Sequence, residues 1–209
     1  LPDVIRLLMT TGHEEGSTAA YTRREAIVLP EIIKGVSDET LAHVLIHEIF
    51  HQISRYDPHL RHDLYHIINF EPCPELEFPE VLRAMRITNP DGFHHDHGIQ
   101  LERDNRLSMY IPILYAKRPY SASDGLGLMK YLNATLLEVD ITQEKTVMSG
   151  SVPKLVPVET CQPYRERVGR NTHYIIHPDE ILAENFVSLV SGKTVPDPWV
   201  LEGMARILA

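Results

Sequence analysis

The apolar positions of this chain change period twice. Residues 4–9 (VIRLLM) and 26–29 (AIVL) are short, largely apolar runs separated by a Gly-containing turn region, which is the pattern of two short strands. Ala19 to Thr22 can add a further strand just before the second run. From about Glu39 the spacing becomes helical: Leu41, Val44, Leu45, Phe50 and Ile53 supply the apolar contacts. Ser37 and Asp38 offer N-cap chemistry for this helix, and Asp57-Pro58 ends it. A second helix is expected at about His59 to Ile68, closed by Pro72 and Pro74. Between Ile87 and about Pro157 the chain turns to β-branched and aromatic segments such as SMYIPILYAK and YLNATLLEVD, broken by Gly, Ser, Asp and Pro, and reads as a β-rich insertion. A helix follows at Pro178 to Val190, ended by Ser191-Gly192, and a short one at Pro198 to Leu208.

One segment violates its own pattern. LIHEIFHQIS, residues 45–54, sets His47, Glu48 and His51 inside the first helix, where an apolar face wants Leu and Val. Burying such groups is costly unless something compensates them. Residues four apart lie one above the other on a helix, so His47 and His51 can offer two imidazoles to one cation, with the Glu48 carboxylate beside them to take a proton from metal-bound water.

Composition narrows the setting. At 209 residues the chain is expected to form a single domain, 1–209, with the β-rich stretch at about 87–157 inserted within it. A formal net charge of −9 argues against nucleic acid or an anionic membrane surface as partner. The longest apolar stretch, Leu41 to Ile53, is too short and too polar to span a bilayer. Cys73 and Cys161 lie in no CxxC pattern, which leaves both their pairing and the compartment open.

A zinc site needs a third protein ligand if its fourth position is to hold water. YIIHPDEILAENFVSL, residues 174–189, supplies candidates. Pro178 suits a first helical turn, with His177 as N-cap, Glu180 within that turn and Glu184 one turn on along the same face. One carboxylate can ligate the metal while the other orients a ligand histidine through its ring N–H.

With HExxH on one helix and Glu180 on a later one, the chain resembles the gluzincin metallopeptidases, the thermolysin-like group; GRNTHYIIHPDEILAENF also looks like a group of uncharacterised bacterial HExxH proteins. The resemblance implies His47, His51 and Glu180 as zinc ligands, Glu48 as general base, and Glu184 where the family commonly carries Asp. It implies an α+β, zincin-like fold: a small mixed sheet on an active-site helix, a second helix carrying the third ligand, and the β-rich insertion shaping the cleft. A zinc metallopeptidase with one zinc per chain and a peptide or protein substrate is the expected activity. Two departures stand out. The β-rich stretch separates His51 from Glu180 far more widely than in thermolysin, and Glu184 is a methylene longer than Asp. Tyr174 is the candidate donor to the tetrahedral intermediate. Ala19, Ala20, Tyr21 and Thr22 are the candidate edge on which an extended peptide could add a strand.

Other histidines compete. His95, His97 and Glu102, in GFHHDHGIQLE, have the spacing of half a cupin metal motif, with a polar, partly exposed loop as the alternative. His43 lies one turn before His47, where it could close a purely structural zinc site. His59, His62 and His66 read as a solvated helix face.

Overall fold

A computed structural model describes residues 2–15, 18–75, 77–92, 94–119, 121 and 131–209. The fold is a mixture of helices and sheets, α+β in class. Three strands open it: β1 (Arg6–Thr10), β2 (Tyr21–Arg23) and β3 (Ala26–Pro30). They form a mixed sheet in the order β1-β3-β2, with β1 parallel and β2 antiparallel to the central β3. Ile27, Val28 and Leu29 of β3 are buried, as the apolar run requires.

Helix α1 (Asp38–Tyr56) follows. The Ser37 hydroxyl accepts the Thr40 N–H at 3.2 Å, satisfying one of the donors that the first turn leaves without a helical partner. Its other end is set by Asp57-Pro58. Asp57 closes α1 and its side chain caps α2 (Pro58–Ile67), accepting the N–H groups of His59 and Leu60 at 3.0 and 3.1 Å. Helix α2 stops at Ile67, and Asn69 adopts φ 63° in the turn that follows, a conformation Asn tolerates. Pro72 does not terminate the helix; it lies in a strand, β4 (Phe70–Pro72).

The second sheet is antiparallel throughout. Beyond β4 it contains β5 (Arg86–Ile87), β6 (His97–Arg103), β7 (Arg106–Ala116), β8 (Leu132–Asp140), β9 (Lys145–Thr146) and β12 (Leu155–Pro157). Its spine runs β12-β8-β7-β6-β4, with β5 on β7 and β9 on β8, while β10 (Met148–Ser149) and β11 (Val152–Pro153) pair apart from it. Positions 93, 120 and 122–130 of the β-rich stretch lie outside the described residues. Successive side chains on a strand face opposite sides, and the sheet uses both. Tyr110 and Leu136 join the main core, whereas Met109, Ile111, Ile113, Leu137 and Val139 build a second cluster with Phe78 and with Leu82 of the short helix α3 (Glu80–Arg83).

The β-rich stretch contributes to both buried clusters. Ile99, Leu101, Tyr110 and Leu136 of this sheet share one cluster with Phe50 of α1, Leu64 of α2, Tyr164 of α4 (Gln162–Val168), Ile181 of α5 (Pro178–Val190) and Met204 of α6 (Pro198–Leu208). Close packing of α6 on α2 passes through Gly203, where an added Cβ would meet Ile67 at 2.9 Å. No described helix is long and apolar enough to cross a membrane.

Phe50 fixes how α1 sits on this core: it is fully buried, and its ring centroid lies 5.6 Å from that of Phe186 on α5. Phe50→Ala should cost about 3–5 kcal/mol of unfolding free energy, the scale for a buried aromatic that leaves a cavity. Urea unfolding would measure it, and a loss below about 1 kcal/mol would show that the two helices are held apart from this contact.

Candidate metal centre

Helices α1 and α5 face each other, and the histidines of one meet the carboxylates of the other. His47 Nε2 lies 3.0 Å from Glu180 Oε2, and His51 Nε2 lies 3.7 Å from the same oxygen. One ligand atom each from His47, His51 and Glu180 falls within a sphere where all are less than 4.8 Å apart, the geometry of residues that could hold a metal ion. The far side of each ring is also fixed. His47 Nδ1 donates to Glu184 Oε1 at 2.9 Å, and His51 Nδ1 donates to Asp179 Oδ2 at 2.6 Å. Each histidine thus has a carboxylate that holds its ring orientation and raises its basicity, while its Nε2 points to the shared centre.

Asp179 escaped the sequence reading. It precedes Glu180, and neighbours on a helix point about 100° apart, so no local rule places both toward α1. At the first turn of α5 both do, because Asp179 reaches past Glu180 to His51 and also accepts the Tyr65 hydroxyl at 2.9 Å. The available signal was stoichiometric: two ligand histidines need two orienting carboxylates, and PDEILAE offers three.

The N-terminus of α5 is built to hold this pair. His177 is its N-cap; Nδ1 accepts the Asp179 N–H at 3.2 Å and Nε2–H donates to the His94 carbonyl at 3.1 Å. That arrangement uses a neutral ring, and burial, the largest influence on His177, lowers its pKa in the same sense. Pro178 occupies the first turn, where no N–H is needed.

Electrostatics follow from burial. Glu180, Asp179 and His51 are each at most 3% exposed. Burial opposes charge on His47, but Glu180 and Glu184 outweigh it and push its pKa up to about 9. His51 moves in the same direction, against burial, through Glu180 and Asp179. Burial would raise the Glu180 carboxyl, yet His51 and His47 hold it well below the usual range. Glu48 is different. It is 4% exposed, its Oε2 has no hydrogen-bond partner among the described residues, and burial followed by the charge of Asp91 pushes its pKa up to about 8.

The remaining candidates are placed as follows. Tyr174 lies in the segment leading to α5 and is 40% exposed. Its hydroxyl pKa is driven well upward, by burial first and then by Glu180, Asp91, Glu184 and Glu48, so it stays protonated beside these carboxylates. Tyr21 and Thr22 belong to β2, an edge strand, while Ala19 and Ala20 precede it. The Thr22 N–H donates to Asp91 Oδ1 at 2.8 Å instead of to β3, and its hydroxyl also bonds Asp91. The free edge is thus closed at Thr22. Asp91 also draws Arg55 Nη2 to 3.4 Å.

Two expectations are corrected. His95, His97 and Glu102 form no metal group among the described residues: His95 lies before β6, and Glu102 is exposed near its far end. Nor are His95 and His97 an exposed loop. Both are buried, His95 against Phe78 and His97 against Tyr65, with ring centroids 5.2 and 4.9 Å apart. His43 does not join the ligand trio; its Nε2 lies 3.1 Å from Glu184 Oε1, one turn away. His59 and His66 are exposed, whereas His62 is partly buried. Comparison with protein families, curated proteins and solved structures finds no match for this chain.

Whether a metal fits is decided by His51 Nε2. This atom is buried and has no hydrogen-bond partner among the described residues, although its ring is otherwise fully engaged. Two imidazole nitrogens and one carboxylate oxygen are the donors that a zinc-like ion takes, and a dication between them would satisfy the stranded nitrogen.

Two predictions follow from this geometry. Metal must displace protons from both ligand rings. With His47 raised to about 9 and His51 raised as well, loading the metal-free protein at pH 7 should release about two protons per ion from these rings, and a further one from Glu48 to the extent that the cation ionises it. The release should fall as pH rises through about 9, where the His47 ring has already lost its proton. Titration in a weakly buffered indicator dye would read it, and metal binding without acidification would show that these rings are not the ligands. Variants should also rank. Glu180→Ala should remove most of the affinity, whereas Glu184→Ala and Asp179→Ala should each weaken it by about 10–100-fold. Competition against a chelator measures all three, and the reverse order would move the ligand role to Glu184 or Asp179.

Proposed function

We propose that this protein is a zinc-dependent hydrolase of peptide bonds with a zincin-like active site, in which His47, His51 and Glu180 hold zinc and Glu48 is the general base. The observation that carries the reading is the trio of converging ligand atoms, with the buried, unpartnered Glu48 Oε2 beside it. Three ligands, each oriented by a partner, are the set that leaves one position for substrate chemistry, whereas a structural site is closed by a fourth residue. His43, one turn before His47, is engaged with Glu184.

Zinc, when bound, lowers the pKa of water toward ~7 and polarises the scissile carbonyl. The residues of the chain supply the rest. Glu48 accepts the proton of the attacking water and returns it to the leaving amine. A cation held by His47 and His51 opposes the influence of burial and Asp91 on Glu48, and so favours the carboxylate that a base requires. Tyr174 keeps its hydroxyl proton and can donate it to the developing oxyanion. Asp91 already takes the outward N–H of Thr22, so an extended substrate can pair only with the Ala19–Ala20 stretch before β2. The acidic balance of the chain disfavours nucleic acid as an alternative substrate.

Glu48→Gln preserves size and hydrogen bonding but removes the proton acceptor. Zinc content should stay at one per chain while turnover of a peptide library falls by about 10²-fold or more. Unchanged turnover would remove Glu48 from the mechanism; loss of the zinc would make it a ligand.

A further inference from the structure

Resting on the metal reading above, we propose that Asn89 is a positioning residue that restricts Glu180 to a single ligating oxygen and so keeps the fourth coordination position available. The contacts are specific. Asn89 Nδ2 donates to Glu180 Oε1 at 2.5 Å, and the other carboxylate oxygen, Oε2, is the one facing His47 Nε2 and His51 Nε2. The orientation of the Asn89 amide is settled independently, because its Oδ1 accepts the Asp91 N–H at 3.0 Å in an Asx turn. Only the NH2 group is left to face Glu180.

The segment carrying Asn89 is fastened on three sides. Arg23 donates to the Pro90 carbonyl at 3.1 Å, Asp91 takes the Thr22 N–H, and Gly92 lies so close to His177 that an added Cβ would sit 2.6 Å from its ring. Asn89 is therefore held by β2 on one side and by the cap of α5 on the other, which makes its reach to Glu180 a fixed one. A carboxylate can bind a cation through one oxygen or two. With Oε1 engaged by a neutral amide donor, the second mode has to break a partly buried hydrogen bond. Without that donor, Oε1 is free to swing onto the metal as an additional ligand, raising its coordination number and crowding the position that hydrolysis needs.

Cobalt(II) substitution tests this without reliance on activity, because visible absorption by cobalt reports coordination number: four-coordinate ions absorb strongly and higher-coordinate ions weakly. The wild-type protein should bind one cobalt with strong absorption. Asn89→Ala should retain one cobalt but absorb at least about twofold more weakly. Asn89→Ser keeps an acceptor for the Asp91 N–H yet is too short to reach Glu180, and it should behave as Asn89→Ala does. Should Asn89→Ala fail to fold, Asn89→Ser alone decides the matter. A wild-type spectrum in Asn89→Ser would assign Asn89 to loop structure alone and overturn the inference. Failure of the wild-type protein to bind cobalt would overturn the metal reading and the inference together.

Discussion

The structure depends on one interface in which two histidines and three carboxylates are removed from water together. His47 and His51 on α1 meet Asp179, Glu180 and Glu184 on α5, and most of these side chains are almost wholly buried. No member is tolerable alone, since removing one partner of a buried pair leaves an uncompensated charge that costs several kcal/mol. The apolar core sets the distance at which this matching happens. Phe50 packs on Phe186, Ile181 and Leu182 are fully buried, and the two helices are thereby held where an imidazole on one spans to a carboxylate on the other.

The same matching is incomplete at two atoms, and these define the chemistry. His51 Nε2 and Glu48 Oε2 are buried without partners among the described residues, whereas Asp179 and Glu180 are engaged through both carboxylate oxygens. A dication bound by His47, His51 and Glu180 satisfies the nitrogen directly and offsets the like-charge pressure of Asp91 on Glu48. Metal binding at this site would be coupled to the folded arrangement of α1 on α5.

Local rules made much of this legible in the sequence. Ser37, Asp57-Pro58 and His177-Pro178 mark helix ends by chemistry that acts over a few residues, and the helices begin and end there. The alignment of His47 with His51 follows from helical geometry alone. What resisted was long-range. Asn89 and Asp91 sit in a segment with no motif, and their roles exist only because the fold lays that segment between β2 and α5. Asp179 was hidden by its own neighbour. His94 to His97 read as a polar loop because nothing local announces that Tyr65 and Phe78 bury two of those rings. The β-rich stretch was legible as strands, but its partnership with the helical core rests on alternating faces whose occupants come from distant parts of the chain.

We propose that a zinc ion belongs between α1 and α5. Crystals of the protein purified without chelator, measured on both sides of the zinc absorption edge, would reveal it. One anomalous peak per chain is expected, within bonding distance of His47 Nε2, His51 Nε2 and Glu180 Oε2, with Asn89 still on the other Glu180 oxygen. A peak at the His95–His97 segment, or none at this interface in protein shown to contain zinc, would contradict it.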